Sequence, residues 1–154
     1  MFAQTSHLRG MRILIVNGPN LDLLGSREPH IYGNRSFESY LAELRAAFPA
    51  MDIQYFQSNM EGEIVGALRD RASQVHGFIL NAGGYSHTSV AIRDALAAVA
   101  IPFIEVHLSN IHRREAFRHH SYLSELAVGV VAGLGPAGYR YALQYALENA
   151  KPAA

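Results

Sequence analysis

The run Glu105-Val106-His107 places a carboxylate and an imidazole two residues apart in an apolar segment. Alternate residues of a strand share a face, so the two side chains point the same way. A carboxylate beside an imidazole fixes the ring and favours its charged form. That suits His107 to general acid work with Glu105 as its orienter; the competing reading is a polar patch at a strand end. Arg27 and Tyr32 offer the complementary chemistry. A free phenol titrates at about 10, too high for a base at neutral pH, and a nearby guanidinium lowers that value by favouring the phenolate. Tyr32 then becomes a base tuned by Arg27; alternatively both belong to packing and solvated surface.

Three further clusters can hold a ligand. Asn81-Ala82-Gly83-Gly84 lets backbone approach closely, and Asn81 can hold a water or a developing enolate oxygen. The alternative is a plain turn before a helix capped by Ser86 or Thr88. His87 and Asp94, seven residues apart, share a face if both are helical, to bind hydroxyls or to face solvent. Leu108-Ser109-Asn110 offers backbone amides and the Ser109 hydroxyl to a carboxylate, with Arg118 adding charge; a structural cap competes. The chain has eight histidines, but no HExxH-type pair, and His119-His120 splay apart. No metal site is expected, and no glycine phosphate loop.

These groups need a scaffold. The 154 residues fit one domain with a substantial core, expected over 11–150 after an extension at 1–10 and before a tail at 151–154. With 13 basic and 13 acidic residues the formal net charge is zero, so no strong field draws nucleic acid or an anionic membrane. No cysteine occurs, which removes disulfides, thiolate catalysis and Cys-ligated metals and suits a cytoplasmic home. No apolar run is long enough to span a membrane. The only lysine is Lys151, so a catalytic imine is not expected.

Short β-branched runs alternate with helical patterns. Strands are expected over 12–16, 52–57, 77–80, 102–106 and 127–131. Helices are expected over 37–48 (capped by Ser36 and stopped by Pro49), 61–73, 89–99 and 137–149, with a short one over 114–119. Such alternation defines an α/β fold: a flavodoxin-like, doubly wound, five-stranded parallel sheet between two helical layers. Ligands of such sheets bind beyond the carboxyl ends of the strands, where all the clusters above lie. The long connection over 17–36 reads as a lid or binding loop, with Gly25, Pro29 and Gly33 to hinge and stiffen it. A flavodoxin-like module holding a flavin or nucleotide is the alternative class. Its first loop should carry phosphate-binding Ser, Thr and Gly, whereas this one carries Pro19, Arg27, Pro29 and Tyr32.

Taken together, ILIVNGPNLDLLGSREPHIYG, FQSNMEGEIV, ILNAGGYSHTSVAIRDAL, PFIEVHLSNIHRREAFRHHSYLS and VAGLGPAGYRYAL closely resemble the type II 3-dehydroquinate dehydratases, in order from about Met11 to Leu147. The resemblance implies a cofactor-free hydro-lyase, with Tyr32 as proton-abstracting base, Arg27 as its activator and His107 as proton donor. It puts substrate contacts at Asn81, His87, Asp94, Leu108, Ser109 and Arg118, and supporting positions at Asn20 and Glu105. It also implies a homododecamer built from trimers, in which Asp94 reaches a neighbouring subunit's site. The substrate would be 3-dehydroquinate, in aromatic biosynthesis by the shikimate and chorismate route or in quinate breakdown. Asp22, Arg113 and Ala116 depart from the commoner Asn, Ala, and Pro or Glu, and Tyr85 occupies a variable position. None of these removes a catalytic group.

Overall fold

The computed structural model describes residues 10–26, 30 and 34–150. Arg27, Pro29, Tyr32 and Gly33 lie outside the described residues, as do the tail at 151–154 and the N-terminal extension apart from Gly10. Five parallel strands, β1 (Met11–Asn17), β2 (Met51–Gln57), β3 (Gly77–Asn81), β4 (Phe103–His107) and β5 (Gly129–Ala132), lie in the order β2-β1-β3-β4-β5. Helices α1 (Phe37–Ala47), α2 (Glu61–Arg71), α3 (Val90–Val99) and α4 (Ala137–Glu148) cover the sheet. This is the flavodoxin-like doubly wound order, as the strand–helix alternation predicts.

Strand alternation sorts the core into two layers. Ile13 and Ile15 pack with Leu41 and Leu44 of α1 and Leu143 of α4. Leu14 and Val16 face the other way, toward Ile64 and Leu68 of α2 and Ile92 and Leu96 of α3. Each such buried aliphatic side chain contributes about 1.5–3 kcal/mol, so the central strands form a rigid platform.

Helix starts follow local hydrogen bonding. The Ser36 hydroxyl accepts from the Ser39 N–H at 3.2 Å and starts α1, as expected. Helix α3 begins differently from the expectation of a Ser86 or Thr88 cap. Residues Gly83–His87 form a 3-10 turn, and Ser89 accepts from the Ile92 N–H at 2.9 Å. An N-cap must directly precede the first helical residue, which leaves only Ser89. The helix expected over 114–119 is also corrected: Ile111–Arg113 and Ala116–Arg118 are separate 3-10 turns, because Arg114 and Glu115 between them are extended.

Candidate active site

The carboxyl ends of β1, β3 and β4 lie side by side, with Asn17 in register with Asn81 and Leu80 with Glu105. Gly18 brings the loops after β1 and β3 together: a Cβ there would lie 2.3 Å from the Ala82 carbonyl oxygen. Its N–H donates to the Asn81 carbonyl at 2.8 Å. Behind this junction the Tyr139 hydroxyl donates to Asn17 Oδ1 at 2.7 Å and accepts from Asn81 Nδ2 at 3.0 Å. Asn81 Oδ1 accepts in turn from the Gly83 N–H at 3.2 Å. Asn81 thus borders the cavity while its amide donates to Tyr139 and accepts from Gly83. Tyr139→Phe leaves buried Asn17 and Asn81 short of a partner, and is expected to cost about 1–3 kcal/mol. Urea unfolding checks this: the midpoint should fall with no change in slope, and an unmoved midpoint would contradict the network's role.

A cavity of about 170 Å³ opens above these strand ends. It is lined by Pro19 to Leu21, Leu23 and Leu24 from one side and by Asn81, Gly83, Gly84 and His87 from the second. His107, Leu108, Ser109, Ile111, Arg114 and Arg118 close the third side. It therefore gathers Asn20, Asn81, His87, His107, Leu108, Ser109 and Arg118 from the residues singled out in the sequence. Asn20 takes a left-handed conformation (φ 67°), and its N–H donates to Asn59 Oδ1 at 2.9 Å. Asp94 does not line the cavity; it is exposed on α3. The shared helical face expected for His87 and Asp94 does not form, because His87 belongs to the preceding 3-10 turn. A larger groove of about 800 Å³ at the opposite end of the strands is lined mainly by apolar residues such as Ile13, Phe78 and Phe103, with His76, Tyr145 and Asn149 among them.

Glu105 and His107 meet as strand alternation predicts. The Glu105 carboxylate, 0% exposed, accepts from His107 Nε2 at 2.9 Å. That leaves Nδ1 of His107, itself 5% exposed, as the nitrogen for a ligand. Ser121 also donates to Oε1 of Glu105, and Ser124 to Oε2. Burial pushes the Glu105 carboxyl up, but the hydrogen bonds from His107, Ser121 and Ser124, with the His107 charge, outweigh it and hold the group below its ordinary value. Neither serine stood out in the sequence.

His87 stacks on His107 with ring centroids 5.9 Å apart. Its Nδ1 donates to the His120 carbonyl at 2.8 Å, so the neutral ring presents Nε2 as an acceptor. Burial, and then the charges of His107 and Arg118, lower the His87 imidazole against the raising effect of that carbonyl and of Glu105. Arg114, another residue missed in the sequence, donates to the Ser109 hydroxyl at 3.2 Å, and Arg118 pairs with Glu115 at 2.7 Å. Two guanidinium groups therefore flank the end of β4, suited to a carboxylate ligand.

The expectation that the chain carries no glycine phosphate loop holds for function but not for spacing. Gly133-Leu134-Gly135-Pro136-Ala137-Gly138 does have GxGxxG spacing, between β5 and α4. It is not an open phosphate cradle. The Gly133 N–H donates to the His107 carbonyl at 3.2 Å and the Gly135 N–H to the Leu108 carbonyl at 2.9 Å. Both glycines have positive φ, 88° and 61°, so the turn requires glycine and fastens the end of β4. Among the described residues, no three His, Cys, Asp or Glu side chains converge as metal ligands. No described helix is long and apolar enough to cross a membrane.

A doubly wound sheet with a carboxylate-backed histidine bordering a cavity at its carboxyl edge gives an α/β architecture with an acid–base pair at its ligand end. The chain belongs to the class II dehydroquinase family, whose model matches residues 11–147, and membership makes it a hydro-lyase. It is 53% identical over 144 residues to the 3-dehydroquinate dehydratase of Aeromonas hydrophila, covering 92% of this chain and 97% of that one. It is 50% identical over 142 residues to catabolic 3-dehydroquinase 1 of Fusarium vanettenii, covering 91% and 99%. The crystal structure of the type II dehydroquinase from Propionibacterium acnes superposes with a TM-score of 0.87 at 38% identity, covering 92% of this chain and 99% of that one.

Proposed function

We propose that this chain converts 3-dehydroquinate to 3-dehydroshikimate and water by anti elimination through an enolate, with neither an imine nor a metal. The observation that carries the reading is the buried Glu105–His107 pair at 2.9 Å, with His107 bordering a cavity flanked by Ser109, Arg114 and Arg118. The substrate carboxylate binds at the Leu108-Ser109 end of β4 with Arg118, and ring hydroxyls bind at His87 Nε2. The C3 ketone acidifies the C2 proton, which the Tyr32 phenolate, tuned by Arg27, removes. The C2–H electrons move into the enolate, which the Asn81 region steadies through a water, with Asn20 in support. On collapse of the enolate the C1–O bond breaks, and His107 Nδ1 gives its proton to the departing hydroxyl. Each turnover leaves Tyr32 protonated and His107 deprotonated, and solvent restores both.

The family resemblance supports a dodecamer of trimers, with Asp94 completing a neighbour's site. Two features agree: Asp94 is exposed away from its own cavity, and Val130 on edge strand β5 lies exposed between the flanking, also exposed Val128 and Leu134. The cysteine-free composition suits the cytoplasm. Relatives of comparable identity carry a general and a catabolic name, so the shikimate pathway is the proposed setting and quinate breakdown the alternative.

The test is to add 3-dehydroquinate to purified protein and follow the enone absorption, then repeat after borohydride treatment with substrate present. Turnover that survives borohydride is expected. Absence of enone formation would overturn the reaction assignment, and inactivation by borohydride would overturn the imine-free route.

A further inference from the structure

We infer that Ser121 and Ser124 are positioning residues for the elimination, their hydroxyls clamping the Glu105 carboxylate and through it the His107 ring. The inference rests on the reading of His107 as proton donor. Glu105 lies on the same face of β4 as Phe103, which packs among the aliphatic residues of that layer. A buried carboxylate with one partner would be poorly compensated and free to turn about its own axis. Here Oε1 is shared by His107 and Ser121, while Ser124 holds Oε2, so the carboxylate plane is fixed at both ends. Ser121 has no idle rotor: its oxygen also accepts from the Leu123 N–H at 3.1 Å.

The same short segment, 120–124, serves the second pocket imidazole. The His120 carbonyl accepts from His87 Nδ1. The Tyr122 N–H donates to the Ser86 carbonyl at 2.9 Å, and the Tyr122 carbonyl accepts from Arg93 at 2.8 Å. One strap thus sets both rings that line the cavity, although none of its residues lines the cavity itself.

The titratable and charged groups facing the Glu105–His107 pair are His87, stacked over the His107 ring, and Arg118, which acts on His87. The serine hydroxyls stabilise the Glu105 anion independently of the shared proton. Without them the pair holds that proton more tightly and draws it toward the carboxylate. The donor becomes weaker, and the high-pH limb of the rate profile moves to higher pH.

The variants are Ser121→Ala, Ser124→Ala, their double, and the threonine replacements, which keep the hydroxyl. Each alanine is expected to lower kcat about tenfold, as for a hydrogen bond to a charged group. KM for 3-dehydroquinate should stay within about twofold, the high-pH limb should rise, and threonine should restore both. If the double variant does not fold, the single Ser124→Ala variant carries the same readouts. An unchanged kcat together with an unshifted His107 resonance, or a loss that leaves the limb in place and is not rescued by threonine, overturns the clamp. Proton NMR of the ¹⁵N-labelled His107 Nε2–H reads the geometry without turnover. A shifted resonance with unchanged kcat upholds the clamp and sinks the donor role instead; an unshifted resonance overturns the clamp.

Discussion

Replacing Tyr32 by phenylalanine is expected to cut turnover of 3-dehydroquinate by about a hundred- to ten-thousandfold, the range spanned by a positioned acid or base. KM and thermal unfolding should change little, since one hydroxyl is lost. The effect is large because no described tyrosine lines the cavity to take its place. Burial pushes the Tyr55 phenol up to about 12 despite a nearby Asn17, and burial pushes Tyr139 higher than an ordinary phenol as well. Both are protonated near neutrality. A useful phenolate needs the opposite environment, one in which a cation outweighs desolvation, and Arg27 is the proposed source. The sign follows directly. The base must be deprotonated to act, so rate rises with pH through its pKa, and removing the guanidinium raises that pKa. In Arg27→Ala the low-pH limb of kcat/KM should therefore move to higher pH. Near-normal rates in Tyr32→Phe would end the base assignment, and an unmoved limb in Arg27→Ala would end the tuning argument.

What could be read from the chain divides by the distance over which each interaction acts. The Ser36 cap and the common face of Glu105 and His107 depend on spacings of three and two residues, and both form as expected. The strand order follows from apolar runs alternating with helical patterns. Interactions across long separations escaped. Ser121 and Ser124 reach Glu105 over 16 and 19 residues, and Tyr139 reaches Asn81 and Asn17 over 58 and 122. Nothing in the local pattern of HHSYLSEL marks its serines as partners of a buried carboxylate. The expected pairing of His87 with Asp94 failed for the converse reason. Helical spacing was applied to a segment whose first part is a 3-10 turn, so seven residues no longer span two turns of one helix. The GxGxxG run makes a related point. Its spacing permits a phosphate loop, but the Gly133 and Gly135 amides are already bonded to the end of β4, so it braces His107 and Leu108.

His107→Ala should separate the two halves of the reaction. With the base in place, C2 of 3-dehydroquinate can still lose and regain a proton, so deuterium from solvent should continue to enter C2. Expulsion of the C1 hydroxyl loses its proton donor, and enone formation should fall by about a hundred- to ten-thousandfold. The ratio of exchange to dehydration should therefore rise steeply. The substitution also strips one donor from a carboxylate that is 0% exposed, which is expected to cost about 1–3 kcal/mol of stability. His107→Gln is the companion variant: its amide can approach Glu105 as a donor, yet it has no proton to give at neutral pH. If both variants dehydrate slowly while exchange persists, the defect lies in the missing acid and not in a collapsed site. Equal loss of exchange and dehydration in the well-folded glutamine variant would instead mean that His107 orders the substrate as a whole, and the division of labour between the phenol and the imidazole would have to be abandoned.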